Sequence, residues 1–333
     1  MNYPLTALSL EIVKSWFSLM DDDGWIPREQ ILGPEARSKV PTEFQVQYPH
    51  YANPPTLFFI LDTFLNRISD TSTHSSQESL YTAHTSNPAI AHQYLSTLYP
   101  LLKRHYEWFH TTQRGDLKSY DRPPTTSSKE AYRWRGRTPQ HILTSGLDDY
   151  PRAQPPHPGE LHLDLISWMG LLSRSLHRIA MVLDQTEDAA EFKTHHQKIV
   201  ANIDTLHWSE KSSAYCDATI DEYEEHALVC HKGYISLFPF ITGLLPSNSE
   251  RLGKVLDLIA DPDELWSDFG IRSLSKKDVF YGTEENYWRS PIWVNINYLI
   301  LVQLLVCECP LIEMSLRGPS GGHCVELHFS SID

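Results

Sequence analysis

Apolar side chains recur at helical spacing in one segment after another of this chain, while period-two alternation is scarce. That pattern requires helices that each bury one face. Leu10, Val13, Trp16, Phe17 and Met20 share one face of an opening helix, which the acidic turn Asp21-Asp22-Asp23-Gly24 stops. Pro54-Pro55 opens a second helix carrying Leu57, Phe58, Leu61 and Phe64, since proline lacks only an N–H that a first turn leaves unpaired anyway. Asn87-Pro88 opens a third, with Ile90, Tyr94, Leu98, Leu101 and Leu102, running to Thr112. Further helices are predicted over 159–184, 187–206, 233–245, 250–260 and 291–306.

Eight or nine helices alternating with elaborate loops predict an all-α fold, an α/α toroid with its function at one rim. A ring of six helix pairs needs more helices than these, so the toroid is expected to be incomplete. With 333 residues and 41% hydrophobic side chains, a substantial core is available. The segments 24–53, 111–158 and 262–289 are too long for idle connections. Loops of that length are functional or disordered, and two of these contain aromatics and paired opposite charges, which predicts ordered loops. The Ser- and Thr-rich segment 69–87 predicts a flexible surface excursion. Residues 1–306 are expected to form the partial helical domain, and 307–333, without helical period, an irregular and aberrant tail.

The balance of 28 basic against 42 acidic side chains disfavours nucleic acid and anionic membrane surfaces as partners. No apolar run approaches the roughly 20 residues of a spanning helix, and the N-terminus has no basic, signal-like start. The chain opens within a helical pattern, which suggests a missing N-terminal part. Cysteines stand at 216, 230, 307, 309 and 324, an odd set without a CxxC pair. Cys307, Cys309, His323 and Cys324 fit no usual zinc spacing. No nucleophile elbow, phosphate-cradling glycine loop or dinucleotide fingerprint is present, so no cofactor and no metal are expected.

Four clusters could carry chemistry. In YRWRGRTPQHILTSGLDDYPRA, Gly146 permits a tight turn ahead of Asp148 and Asp149, with Arg152 close behind. Adjacent carboxylates repel, so one should resist ionisation while an arginine favours the charged form of the other. Such a pair suits proton donation to a glycosidic oxygen, or equally a solvated turn that caps a helix. Glu160, His162 and Asp164 follow at a helix start, where Glu160 and Asp164 are expected on one face extended by Trp168, as helix caps or as groups in a sugar pocket. His162 with its neighbours is poorly spaced for a metal. The third cluster, YGTEENYWRSPIWVNINYL, interleaves Tyr287, Trp288 and Trp293 with Asn286, Arg289, Asn295 and Asn297, a mixture matching a sugar ring and its hydroxyls or packing inward at a helix entry. The fourth, GWIPREQILGPEARSKVPTEF, sets Arg28, Glu29, Gln30, Glu35 and Arg37 in a loop bounded by Gly and Pro, as an ion-pair network or as ligand contacts.

Together these clusters resemble the processing α-glucosidase I family, the mannosyl-oligosaccharide glucosidases, in its fungal form. The resemblance rests on SLEIVKSWFSLMDDDGWIPREQILGPEARSKVP, QYPHYANPPTL, YRWRGRT, SGLDDYPRA, ELHLDLISW, GYISLFPF, FGIRSLS and NYWRSPIWVNINYL, and spans residues 5–306. It implies an (α/α)6 toroid and inverting hydrolysis of the terminal α-1,2-linked glucose of the triglucosylated N-glycan precursor. It implies a setting in the lumen of the endoplasmic reticulum, with any membrane attachment made by a segment absent from this chain. Asp148 would be the general acid. The candidate substrate contacts are Gln30, Glu35, Trp134, Arg135, Asp149, Glu160, His162, Asp164, Tyr287, Trp288 and Arg289. Leu161 stands where the family has arginine, and Ser290 where it has glycine.

The family's general base is a glutamate in an EQY motif, which this chain lacks. Its tail runs VCECPLIEMSLRGPSGGHCVELHFSSID instead. Glu284 and Glu285 are the nearest substitutes, and Glu326 lies in the tail. An inverting site needs its base roughly 6.5–9.5 Å from the acid. Two other expectations therefore stand beside the first. One is an inactive or carbohydrate-binding remnant lacking the base; the other is a toroid glucosidase acting on trehalose or a small glucoside.

Overall fold

The computed structural model describes residues 7–69, 83–122 and 128–307. The segment 70–82, within the expected surface excursion, and the tail from 308 lie outside the described residues. Eleven α-helices, a short 3-10 turn and six short strands make up the described fold. Its helices begin with α1 (Ala7–Phe17), α2 (Gly33–Lys39), the single turn α3 (Thr42–Gln45), α4 (Phe58–Ser69), the turn α5 (Ala83–Ser86) and the long α6 (Pro88–Thr112). They continue with α7 (Leu163–Val182), α8 (Thr186–His207), α9 (Tyr234–Ile241), α10 (Glu250–Ala260) and α11 (Val294–Val306). The expected helices appear with boundaries displaced by a few residues. Asn87 caps α6 by accepting the N–H groups of Ala89 and Ile90, with Pro88 at the first position.

Helix α7 is the centre of the architecture. Nearly every side chain of its first four turns is buried, so it cannot be a surface helix with one apolar stripe. It pairs with α8 through the tight turn at Asp184, and α4, α6 and α9 pack on its other sides. Gly170 permits the closest approach, since a Cβ there would meet Leu244 Cδ1 at 2.6 Å. The helices α1, α4 and α6 close one side through Phe17, Phe58, Phe64, Tyr94 and Phe109. Helices α1 and α11 each also carry a second apolar face that is exposed: Leu8 and Ile12 on the first, Val294, Leu301, Leu305 and Val306 on the second. An apolar hollow of about 390 Å³ lies between α1, the entry to α4 and α6.

Strands are short and pair as hairpins: β1 (Trp208–Ser209) with β2 (Ala214–Tyr215), β3 (Asp217–Ile220) with β4 (His226–Val229), and β5 (Trp266–Ser267) with β6 (Gly270–Ile271). The β3–β4 hairpin is closed at its base by a disulfide between Cys216 and Cys230, whose Cα atoms are 4.7 Å apart. Neither this hairpin nor helix α2 is foreseen by periodicity, because each is shorter than the window in which a period can be counted. Among the described residues no helix is long and apolar enough to cross a membrane.

Candidate active site

The acid turn is built by its backbone. The N–H of Ile142 donates to the carbonyl of Asp148 at 2.9 Å, closing residues 142–148 into a loop. Gly146 ends a short 3-10 turn at φ +71°, a left-handed conformation that only glycine adopts without strain. Asp148 is left half-buried. Burial pushes its carboxyl above the ordinary aspartate range; the charges of Arg28 and His141 oppose that shift, and those of Asp149 and Glu285 reinforce it. Arg28 is itself fixed, donating to the carbonyl of Leu143 at 2.9 Å and to Asn53 Oδ1 at 3.3 Å.

A strap over residues 280–289 lies against this turn. Asp149, fully buried, accepts the backbone N–H groups of Tyr287 and Trp288, and Arg289 Nε donates to the carbonyl of Asp149 at 2.7 Å. Glu284 pairs with Arg289 at 3.1 Å, and Glu285 with His141 Nε2 at 2.9 Å. The ring of Trp288 stacks on Trp293 at 4.3 Å, and exposed Tyr287 meets Trp293 edge-on at 4.7 Å. The turn of Asp148 and Asp149 therefore meets a strap of aromatic rings, one of which faces solvent.

Beneath the turn lies a buried ionic floor. Arg152 is clamped between Asp164 at 2.9 Å and Asp217 at 2.6 Å, and Asp217 also accepts the first N–H of α7, from Leu163, at 2.8 Å. Glu160 pairs with His162 at 3.0 Å and Arg137 at 3.3 Å. Burial alone would raise the Glu160 carboxyl, but the bond from His162 and the charges of His162 and Arg137 hold it below its ordinary range. His162 Nδ1 accepts the N–H of Trp134 at 2.9 Å, which sets the segment leading into the acid turn.

A sequence model of the glycosyl hydrolase family 63 C-terminal domain matches residues 3–309. The chain belongs to glycosyl hydrolase family 63. It is 52% identical over 310 residues to a probable mannosyl-oligosaccharide glucosidase of Schizosaccharomyces pombe, covering 89% of this chain and 38% of that protein. It is 44% identical to the mannosyl-oligosaccharide glucosidase of Saccharomyces cerevisiae, covering 88% of this chain and again 38% of the relative. The chain thus spans well under half the length of these relatives. In fold it is similar to a family 63 mannosylglycerate hydrolase from Thermus thermophilus, solved with glucose, with TM-score 0.59, 14% identity, and coverage of 93% of this chain and 79% of that one. The neutral trehalase of Saccharomyces cerevisiae aligns over 78% of this chain and 53% of its own, with TM-score 0.51 and 11% identity. The all-α toroid expected from the helix count is the fold of these glycosidases.

Within this family 63 domain the structure rearranges several expectations. Glu160 does not share a helix face with Asp164: it precedes α7, whose N-cap is His162, and the two carboxylates serve different arginines. Arg152 does not attend the Asp148–Asp149 pair; its guanidinium turns inward to Asp164 and Asp217. The cation facing Asp148 is Arg28. Trp134 is fully buried, and Arg135 donates to the carbonyls of Thr112 and Arg114, which makes it a brace between segments. Gln30 is half-buried in the loop beside Arg28, while Glu35 is exposed on the first turn of α2. Leu161 packs in a small apolar cluster with Leu117, Ala131, Leu206 and Ala218, so position 161 points away from the acid turn's polar surroundings.

Asp217 was not foreseen, because the partner that gives it a role, Arg152, lies 65 residues away in sequence. Asn53 and His141 were missed for the same reason. Among the described residues, one group has metal-ligating composition: His110, Glu130 and His195, with ligand atoms within 4.8 Å of one another. There Arg114 places a guanidinium nitrogen 2.9 Å from His110 Nε2, where a cation would have to sit. The imagined zinc set at Cys309, His323 and Cys324 lies outside the described residues.

Proposed function

We propose that this chain supplies the acid side of an inverting glycosidase site. In the whole protein that site would remove the terminal α-1,2-linked glucose from the triglucosylated N-glycan precursor. The observation that carries this reading is the state of Asp148. Its half-buried carboxyl is held above the ordinary aspartate range by burial, in a turn faced by Arg28 and His141 and joined through Asp149 to the Tyr287–Trp288 strap. A general acid must hold its proton near neutral pH and give it to the leaving oxygen, and desolvation supplies that bias. Tyr287 offers a ring face to a sugar. Asp149, Glu160, His162 and Asp164 act from beneath by fixing the turn and strap, and Gln30 and Glu35 belong to the loop that frames Arg28.

The general base lies outside the described residues on this reading. Glu284 is committed to Arg289, and Glu285 to His141, which suits neither to activating water. Homology to the mannosyl-oligosaccharide glucosidases favours the N-glycan over trehalose or a small glucoside. The Cys216–Cys230 disulfide fits an oxidising compartment, in keeping with the lumen of the endoplasmic reticulum. The test is glucose release from the triglucosylated glycan, with the anomer of the first product read by NMR. Inversion gives β-glucose first, and Asp148→Asn lowers the rate by about 10²–10⁴-fold. Unchanged release by that variant, or α-glucose as first product, overturns the proposal.

A further inference from the structure

We propose that His141 and Glu285 form an opposed pair of positioning residues for Asp148, one side chain favouring its carboxylate and the other its protonated form. The inference rests on Asp148 being the acid, and gives that site a tuning device.

The geometry is local. Residue 141 is folded back beside residue 148 because the N–H of Ile142 donates to the Asp148 carbonyl at 2.9 Å. Thr138 fixes His141 from the other side, its Oγ accepting the His141 N–H at 2.9 Å. Glu285 reaches the same place on the strap that Asp149 pins through the N–H groups of Tyr287 and Trp288. The two side chains then meet at 2.9 Å. They are 30% and 60% exposed, so the pair adds little to stability and its removal leaves the backbone bonds in place.

Among the described residues, the charged or titratable groups that act most strongly on the Asp148 carboxyl are Arg28, His141, Asp149 and Glu285. Arg28 is tied to Leu143 and Asn53, and Asp149 to the strap backbone. Removing either would disturb the turn itself. His141 and Glu285 bond each other, so their charges can be changed with the frame intact. A protonated His141 ring stabilises the carboxylate, and the Glu285 charge disfavours it. The two charges pull in opposite directions, so loss of both offsets what loss of either would do.

Opposite signs are what a merely structural pair would not give. In the chain labelled with ¹³C at its aspartate carboxyls, the Asp148 resonance is identified by its loss in Asp148→Asn. Glu285→Gln is expected to lower its titration midpoint and His141→Asn to raise it, each by a few tenths of a pH unit. The double variant returns close to the parent. The alkaline limb of glucose release moves in the same sense in each variant. Shifts of the same sign in both single variants, or none in either, overturn the inference. Full glucose release by Asp148→Asn would instead overturn the acid assignment while leaving these titration shifts as measured, so the two failures are distinguishable.

Discussion

The carboxylate of Asp149 accepts the backbone N–H of Trp288 at 2.7 Å, joining segments 139 residues apart in sequence. A second oxygen takes the N–H of Tyr287 at 2.9 Å, and the Arg289 guanidinium returns to the Asp149 carbonyl. Of two neighbouring aspartates, one is thus consumed in holding the aromatic strap, and the other is the one proposed to carry the labile proton. Asp149→Ala would strand two buried N–H groups and cost about 2–4 kcal/mol. Asp149→Asn, which keeps one acceptor oxygen, should cost less. Urea unfolding measures both, and equal midpoints for Ala and parent would refute the strap's dependence on this side chain.

Arg152 sits between two carboxylates with all three side chains nearly removed from water. Burial alone would lower its affinity for a proton, but Asp164 and Asp217 more than reverse that and secure its charge. Asp217→Asn would leave the guanidinium under-compensated and loosen the first turn of α7 at Leu163. The expected loss is about 3–5 kcal/mol, since one member of a buried ionic group is removed while its partner stays. The check is the denaturation midpoint; a change below 1 kcal/mol, taking that as roughly the surface-pair value, would contradict this account.

Acid should destabilise the fold well before the carboxylates titrate. His105 and His207 are buried, with ring nitrogens 2.8 Å from the carbonyls of Gly24 and Cys216, and burial brings both down to about 4. Their unfolded value is about 6.5, so the unfolded chain takes up the proton first. Stability is therefore intact above about pH 6.5 and falls as pH drops toward 4, by at most about 1.4 kcal/mol per pH unit for each ring. Glu160 works in the ordinary carboxylate sense: its contribution is present above about pH 4.3 and is lost as pH falls through its depressed folded value. Thermal midpoints at pH 7.5, 6 and 5 test the histidine part, which a flat profile over that range would rule out.

The helical frame was legible because long amphipathic stretches repeat their period many times. Helix α6 announces itself by Asn87-Pro88 and by a stripe of apolar residues over several turns. The acid turn was legible through Gly146 and the paired aspartates, and the aromatic strap through its interleaved rings. The pairing of these parts was not. The resemblance alone sets Asp148 apart from Asp149 in sequence, and only the fold shows that Asp149 meets the N–H groups of Tyr287 and Trp288. Arg152 was assigned to the aspartates nearest in sequence, yet a buried guanidinium seeks partners by distance in space, and Asp217 is 65 residues away. The disulfide was hidden by an odd cysteine count, because no spacing rule connects Cys216 to Cys230 until the β3–β4 hairpin brings them together.

Leu161 gives a prediction that separates packing from recognition. The family resemblance implies arginine at this position, beside residues expected to meet substrate, which makes Leu161 look like a lost contact. Here the side chain is fully buried among Leu117, Ala131, Leu206 and Ala218, and its own backbone pairs in both directions with Ala218 at 2.8 and 2.9 Å. Gly115 is packed so closely that a Cβ there would meet Leu161 Cδ2 at 2.2 Å. An arginine in this cluster would bury a charge with no carboxylate among those neighbours and overfill a close-packed site. Leu161→Arg should therefore destabilise the chain by about 3 kcal/mol or more. Leu161→Ala should cost about 2–5 kcal/mol by leaving a cavity. If Leu161→Arg instead kept the parent's unfolding midpoint and tightened glycan binding, position 161 would have to face the substrate, and the apolar cluster could not be its environment.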